Sequence, residues 1–453
     1  MSSHINLQLG WPTPRLFPAE QLAAATTSSL LDPEIAKSAL IYGPDLGYTP
    51  FRESVAEWLT SFYQPPSGAI PIDRIAITGG ASQNLASILQ VFSDPNTTRR
   101  IWMVEPTYFL ACTIFQDAGF AGRLRGVPEN EHGIDIEFLR KKLSKFEYEA
   151  SQNGVYHEIK PTTQYGKIFR HILYLTPTFS NPSAKTMSTP VRQQLLSLTR
   201  EYDMLIISDD VYDFLRWPAE ETKSTSVKMA PITPRLVDLD RATSSDDSWG
   251  NSISNGSFSK IVAPGVRVGW AEASTKIILR LSQNGATRSG GAPSHLTSTF
   301  LDHLLSSGAM QKHIDEILIR TYQSRYRVLM KAIKTHLEPL GVRITTGAPY
   351  TVPEDNNTIV PAGGFFTYIT FPPELPSADV IAKRAKDEQA LTFAYGAMFV
   401  VKGDETSAER SKQGFGNGAR LCWAWHEEEE IEKGLKVMVE AFTDNSILLS
   451  ALY

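Results

Sequence analysis

The chain has 453 residues, of which 42% are hydrophobic and 21% charged, a balance that allows a large globular core. A net charge of -5 leaves no basic footprint for nucleic acid or an anionic membrane. The only two cysteines, Cys112 and Cys422, exclude a disulfide framework and a CxxC metal site.

The N-terminal stretch MSSHINLQLGWPTP lacks a basic segment followed by an apolar core, and no run reaches transmembrane length. The terminal SALY is not a peroxisomal address, so a cytoplasmic protein without a membrane partner is expected. From residue 74 short apolar runs alternate with helical patterns. RIAIT (74–78) predicts a strand and ASQNLASILQVF (81–92) a helix; RIWMVEP (100–106) and TYFLACTIFQDAG (107–119) repeat the pair. HILYLTP (171–177), the helical TPVRQQLLSLTREYD (189–203) and MLIISDD (204–210) continue it. Buried strands alternating with helices predict an α/β fold with a mostly parallel central sheet and helices on both faces. RATSSDDSWGNSISNGS (241–257) reads as a polar loop.

Beyond residue 300 the pattern changes. ILIRTYQSRYRVLMKAIKTHL (317–337) predicts a long helix, PAGGFFTYITF, TFAYGAMFVV and ARLCWAW predict strands, and EEEEIEKGLKVMVEAF (427–442) a closing helix. KGDETSAERSKQGFGNGA (402–419) reads as a second loop. The expected division is a large domain over 46–310 and a smaller α+β domain made of 1–45 and 311–453.

Chemistry concentrates at predicted strand ends, where open α/β sheets bind ligands. In SFSKIVAPGVRVGW (257–270), Lys260 stands among Phe258, Ile261, Val262 and Ala263. Such a lysine either lays its stem over apolar neighbours or is buried with a lowered pKa and serves as a nucleophile. TGGAS (78–82) is a strand-to-helix turn suited to an anion, although glycine turns are also plain punctuation. Asp209, in SDDVY, stands where a turn or cap aspartate would equally serve. HEEEE (426–430) is not HExxH, and nine histidines show no metal-ligand spacing.

Together, TGGAS (78–82), EPTYFL (105–110), P-x-x-x-N-P (177–182), D-x-x-Y (209–212), S-F-S-K-x3-P-G-x-R-x-G-W (257–270) and NGARLCWAW (417–425) resemble the fold-type I pyridoxal-phosphate enzymes, aminotransferase class I/II, in that order along nearly the whole chain. The nearest resemblance is to the aromatic and 2-aminoadipate aminotransferases. It implies pyridoxal 5'-phosphate held as a Schiff base on Lys260, which also moves protons. It implies a phosphate site from Ser257, Arg267 and the backbone of Ala81 and Ser82. Asp209 would face the pyridine nitrogen, Tyr212 and Asn181 the phenolate oxygen, and Tyr108 would stack on the ring. Asp210 is read as structural. Arg420 would pair with the substrate carboxylate near Gly10 and Asn181, with Trp11, Tyr48 and Trp425 as candidate pocket walls. Tyr42, in LIYGPDLGYTPFRESVAEWL, would reach the phosphate of a second subunit, which implies a homodimer. Ser183 and Ala184 depart from the family's N-P-x-G turn. The implied function is amino transfer between an L-amino acid and a 2-oxo acid. The same residues would also serve a lyase or a ring-closing synthase. A non-catalytic sensor is set aside, because the resemblance begins by about residue 5 and the chain is not basic.

Overall fold

The computed structural model describes residues 4–152, 157–220, 232, 234–245, 247–346, 352–354 and 357–442. Its centre is an eight-stranded sheet of β1 (Ile75–Thr78), β2 (Arg100–Glu105), β3 (Leu124–Asn130), β4 (Gly133–Ile134), β5 (His171–Leu175), β6 (Met204–Asp209), β7 (Ser252–Ser257) and β8 (Gly269–Glu272). The spatial order is β1-β8-β7-β6-β5-β2-β3-β4. The run from β7 through β6, β5 and β2 to β3 is parallel; β8 is antiparallel to both its neighbours, and β4 to β3.

Successive side chains of these strands enter different cores, as a period of two requires. Ile101, Met103, Ile172 and Leu205 pack on one face with Leu85, Ile88 and Phe92 of helix α2 (Ala81–Phe92). Trp102, Val104, Leu173 and Ile206 pack on the other with Leu195 and Leu198 of a helix spanning Thr189–Glu201. Helices therefore cover both faces of a mostly parallel sheet, as the apolar strands predict. Helix α1 (Thr49–Tyr63) lies beside β1 and buries Phe51, Val55 and Leu59.

A second sheet contains β9 (Arg343–Ile344), β10 (Phe366–Thr370), β11 (Ala394–Tyr395) and β12 (Gly418–Cys422), in the order β9-β10-β12-β11 and fully antiparallel. Helices over Ile319–Ala332 and Glu428–Glu440 pack through Tyr322, Leu329, Ile431 and Leu435. The N-terminal residues Ile5–Asn6 pair in parallel with Leu391–Thr392, tying the start of the chain to this part.

Three expectations are corrected. The supposed loop at 241–257 ends in β7, a fully buried strand between β6 and β8. Its polar side chains survive burial because partners meet them: Ser254 donates to Asp210 at 2.5 Å, and Asp240 accepts the Ser252 N–H at 3.0 Å. The supposed loop at 402–419 holds a helix over Glu405–Gln413, opened by Asp404, whose carboxylate accepts the Thr406 N–H at 3.1 Å. In TFAYGAMFVV the strand is broken: Thr392 ends the short strand paired with Asn6, Ala394–Tyr395 is a second, and a 3-10 turn over Gly396–Phe399 follows.

Behind β8 lies a buried ion cluster. Arg235 reaches Asp238 at 2.8 Å and Glu272 at 2.9 Å, all three about 1% exposed, and its guanidinium lies 3.7 Å from the Tyr63 ring centre. Removing the cation strands two buried carboxylates, whereas the Arg140–Glu201 pair, with side chains 42% and 50% exposed, is screened by water. Urea unfolding should show Arg235→Met losing about 3–5 kcal/mol and Arg140→Met far less. Equal losses would contradict this ranking.

Candidate active site

β1, β5, β6 and β7 all point their carboxyl ends at one cleft, and the sequence-predicted residues lie on the turns that leave them. After β7 the chain makes a 3-10 turn, Phe258–Lys260, capped by the Ser257 hydroxyl, which accepts the Ser259 N–H. This turn aims Lys260 inward. Its Nζ donates to the Gly10 carbonyl at 2.8 Å and lies 5.3 Å from the centre of the Phe365 ring. Burial, with Arg420 adding its positive charge, pulls the Lys260 amine down to about 8.

Asp209 closes β6. Tyr174 on β5 donates to its Oδ2 at 2.7 Å, and Asn255 on β7 donates to its Oδ1 at 3.4 Å. Burial raises its carboxyl to about 6; the Tyr174 bond opposes this and the charge of Asp210 reinforces it. Asp210 turns the opposite way, accepting from Ser208 and Ser254 at 2.5 Å each, so it is a structural acid behind the site. Tyr212 is 3% exposed, with its ring 5.6 Å from Phe365 and 5.8 Å from Phe366. Burial raises its phenol well above the ordinary value. Tyr108 sits at the start of a helix over Phe109–Phe115, close enough to Asp209 that its phenol is raised by burial first and by that carboxylate second.

Opposite Lys260, Arg420 emerges from β12 onto the Phe366 ring at 4.1 Å. Nη1 donates to Asn181 Oδ1 and Nη2 to the Gln8 carbonyl, both at 2.6 Å. Its buried Nε has no partner among the described residues. A Cβ on Gly10 would come within 2.8 Å of the Phe366 ring on which Arg420 lies, so the close approach of this backbone to that ring favours glycine. Asn181 is bracketed by two non-glycine residues in the left-handed region, Phe179 at φ 49° and Ala184 at φ 59°. Ala184, where an N-P-x-G turn would have glycine, adopts this left-handed backbone at a strain of about 1–2 kcal/mol.

A second group forms an anion cradle. The Arg267 guanidinium donates to the Pro264 carbonyl at 2.9 Å and the Gly79 carbonyl at 3.1 Å. Gly80 has φ 95°, and a Cβ there would lie 2.8 Å from Arg267 Nη2. Ala81 and Ser82 begin α2, and no side chain caps it, leaving N–H groups free for an anion. Ser257 Oγ donates to Ser259 Oγ at 2.9 Å, and Ser259 lies 3.5 Å from Arg267 Nη1.

Lys260, Asp209, Tyr108, Tyr212, Asn181, Arg420 and Gly10 are thus gathered, with Ser257, Arg267, Ala81 and Ser82 beside them. Tyr42 is not among them: its side chain is 85% exposed. Trp11 and Trp425 meet edge to face at 6.2 Å, whereas Tyr48 pairs with His295 at 5.9 Å. Sequence reasoning passed over Tyr174, Asn255 and Ser259. Only Ser259, beside Lys260, stood inside a motif already singled out.

This donor set suits a flat, phosphate-bearing aldehyde. The Gly80 cradle and Arg267 match a dianion, the Asp209 carboxylate matches a basic ring nitrogen, and an amine of lowered pKa matches a carbonyl carbon. Fold and site together define an enzyme that works through such a cofactor. The chain belongs to the aminotransferase class I and II family, which it matches over residues 12–438. It is 34% identical to an uncharacterized protein of Saccharomyces cerevisiae over 451 residues, covering 96% of this chain and 95% of that one. It is 30% identical to aromatic-amino-acid aminotransferase 1 of Thermococcus litoralis, covering 98% and 89%. Its fold is similar to that of LysN, an α-aminoadipate aminotransferase of Thermus thermophilus solved with N-(5'-phosphopyridoxyl)-L-leucine. The TM-score is 0.71 at 26% identity, covering 100% of this chain and 94% of that one. The protein is a pyridoxal-phosphate-dependent transaminase of fold type I, and its cofactor is pyridoxal 5'-phosphate.

The lowered pKa of Lys260 sets a pH profile. Below about 8 the neutral, reactive amine is the minor form, and its share rises about tenfold per pH unit. Stopped-flow absorbance should show cofactor capture by the apo-protein rising with pH and levelling above about 8. A rate still climbing at pH 10, where an ordinary lysine titrates, would contradict it.

Proposed function

We propose that the enzyme moves the amino group of an aromatic or 2-aminoadipate-like L-amino acid to a 2-oxo acid, with the sequence-predicted residues in the roles their positions suggest. The carrying observation is the facing pair of Lys260, an amine of lowered pKa, and Arg420, a buried guanidinium whose Nε has no partner among the described residues. Pyridoxal 5'-phosphate, when bound, supplies a carbonyl carbon for the amine and a ring that delocalises the electron pair left at the substrate Cα. Arg267, the hydroxyls of Ser257 and Ser259, and the N–H groups of Ala81 and Ser82 hold its phosphate. Asp209 accepts the ring N–H and keeps that nitrogen positive. Tyr212 and Asn181 orient the phenolate side, and Tyr108 covers the ring face.

Arg420 would bind the substrate α-carboxylate and set the Cα–H bond toward Lys260, whose Nζ would take up that proton and later give it back. Gly10 and Asn181 shape the carboxylate site. The substrate preference rests on the names of the relatives and on the rings around Arg420, of which Phe366 and Phe399 lie 4.1 and 5.3 Å from the guanidinium carbon. Trp11 and Trp425 wall the entrance. The chain acts as a homodimer in the cytoplasm, with Tyr42 reaching the partner subunit's phosphate site; its high exposure in one chain fits that role. The working division is a large domain over 46–310 and a small one made of 1–45 and 311–453.

The holoenzyme, given L-phenylalanine, L-tyrosine or 2-aminoadipate without an acceptor, should yield one equivalent of 2-oxo acid per active site. Turnover should resume only when a second 2-oxo acid is added. Continuous release of ammonia without an acceptor would overturn the transfer reading. Arg420→Leu should lower kcat/KM about a thousandfold, the loss of a charge-assisted bidentate contact. The cofactor absorbance should be retained; unchanged kinetics would remove Arg420 from the site.

A further inference from the structure

Resting on the functional reading above, we infer that Asn255 is a positioning residue that locks the carboxylate under the cofactor ring to the helix end that receives the cofactor phosphate. Asn255 is 1% exposed and lies directly beside Asp209 in the register of β6 and β7. Its amide makes three contacts that leave no spare group. Nδ2 donates to Asp209 Oδ1 at 3.4 Å and to the Ala81 carbonyl at 3.0 Å, while Oδ1 accepts from Asn84 Nδ2 at 2.8 Å. The orientation is forced, since the Asp209 carboxylate and the Ala81 carbonyl only accept, so the NH2 must face them.

Ala81 and Asn84 both belong to the first turn of α2, whose free N–H groups form the cradle with Arg267. The other oxygen of Asp209 is held by Tyr174 on the opposite neighbouring strand. Tyr174 thus anchors the carboxylate to the sheet alone, whereas Asn255 fixes its distance from the phosphate end. A cofactor that binds at both ends gains affinity when that distance is set before it arrives.

The test compares wild type, Asn255→Ala and Asn84→Ala as purified apo- and holoenzyme. Three quantities are measured: the dissociation constant for pyridoxal 5'-phosphate, the visible circular dichroism of the bound cofactor at saturation, and the melting temperature of the apo-protein. Asn255→Ala should weaken cofactor binding about tenfold or more, the scale of a lost hydrogen bond to a charged group. It should also lower the visible ellipticity at saturation, which reports the fixed tilt of the ring; the apo-protein loses some stability from the partners left unpaired but stays folded at the assay temperature. Asn84→Ala, which removes only the brace on Asn255, should move both cofactor readouts the same way by less. Should Asn255→Ala not accumulate as folded protein, Asn255→Ser with Asn84→Ala gives the same reading. Wild-type affinity and ellipticity in the Asn255 variant would overturn the inference, as would a fall in apo melting temperature large enough to account for the weaker binding. Failure of the wild-type protein itself to take up the cofactor would instead overturn the functional reading.

Discussion

An amine that must give up its proton readily near neutral pH has to leave water without meeting an anion that would hold its charge. Lys260 satisfies this constraint by pointing into a cleft where its direct hydrogen-bond partner is a backbone carbonyl, Gly10, and its nearest ring is Phe365. Asp209 is near enough to oppose the shift, but burial and the Arg420 cation outweigh it. The same burial keeps Asp209 itself above the usual carboxylate range until a positive partner arrives. Burial makes the charged forms of the lysine and the aspartate both costlier than in water, and a cofactor with an aldehyde at one place and a basic nitrogen at another relieves both.

The architecture follows from that need. Parallel strands send their carboxyl ends to one edge, so the turns after β1, β6 and β7 deliver an anion cradle, a carboxylate and a lysine to a single cleft. Closing the cleft needs a second element, and the antiparallel sheet provides it through Arg420 on β12. The N-terminal segment joins the two: Leu7 accepts the Cys422 N–H, Gln8 accepts from Arg420, and Gly10 accepts from Lys260. Strain collects where positioning is tightest. Phe179 and Ala184 adopt left-handed backbone on either side of Asn181, a cost tolerated where the asparagine amide must meet Arg420.

Much of this was readable from the chain because the reactive groups sit in short contiguous motifs. SFSK carries the lysine, SDDVY the carboxylate and the phenol, and NGARLCWAW the arginine. Apolar runs such as RIWMVE and MLIISD announced a covered parallel sheet. What escaped has a common cause. β7 reads SISNGS, a loop composition, and becomes a central strand only because Asp210, Asp240 and Asn84 satisfy its side chains from other elements. The helix over Glu405–Gln413 has no apolar stripe to betray it, and its signal was the Asp404 cap alone. Tyr174 and Asn255 gain their meaning from register, since β5 and β7 flank β6 and so flank Asp209. Register between distant strands leaves no mark on a single strand.

The central claim is that one buried lysine carries the cofactor, and it can be read chemically. The holoenzyme is treated with sodium borohydride, which fixes the carbon–nitrogen bond between cofactor and protein, then digested and mapped by mass spectrometry. The phosphopyridoxyl mass should appear on the peptide containing SFSK, at Lys260. Modification at any other lysine, or an unmodified SFSK peptide from cofactor-saturated protein, would contradict it.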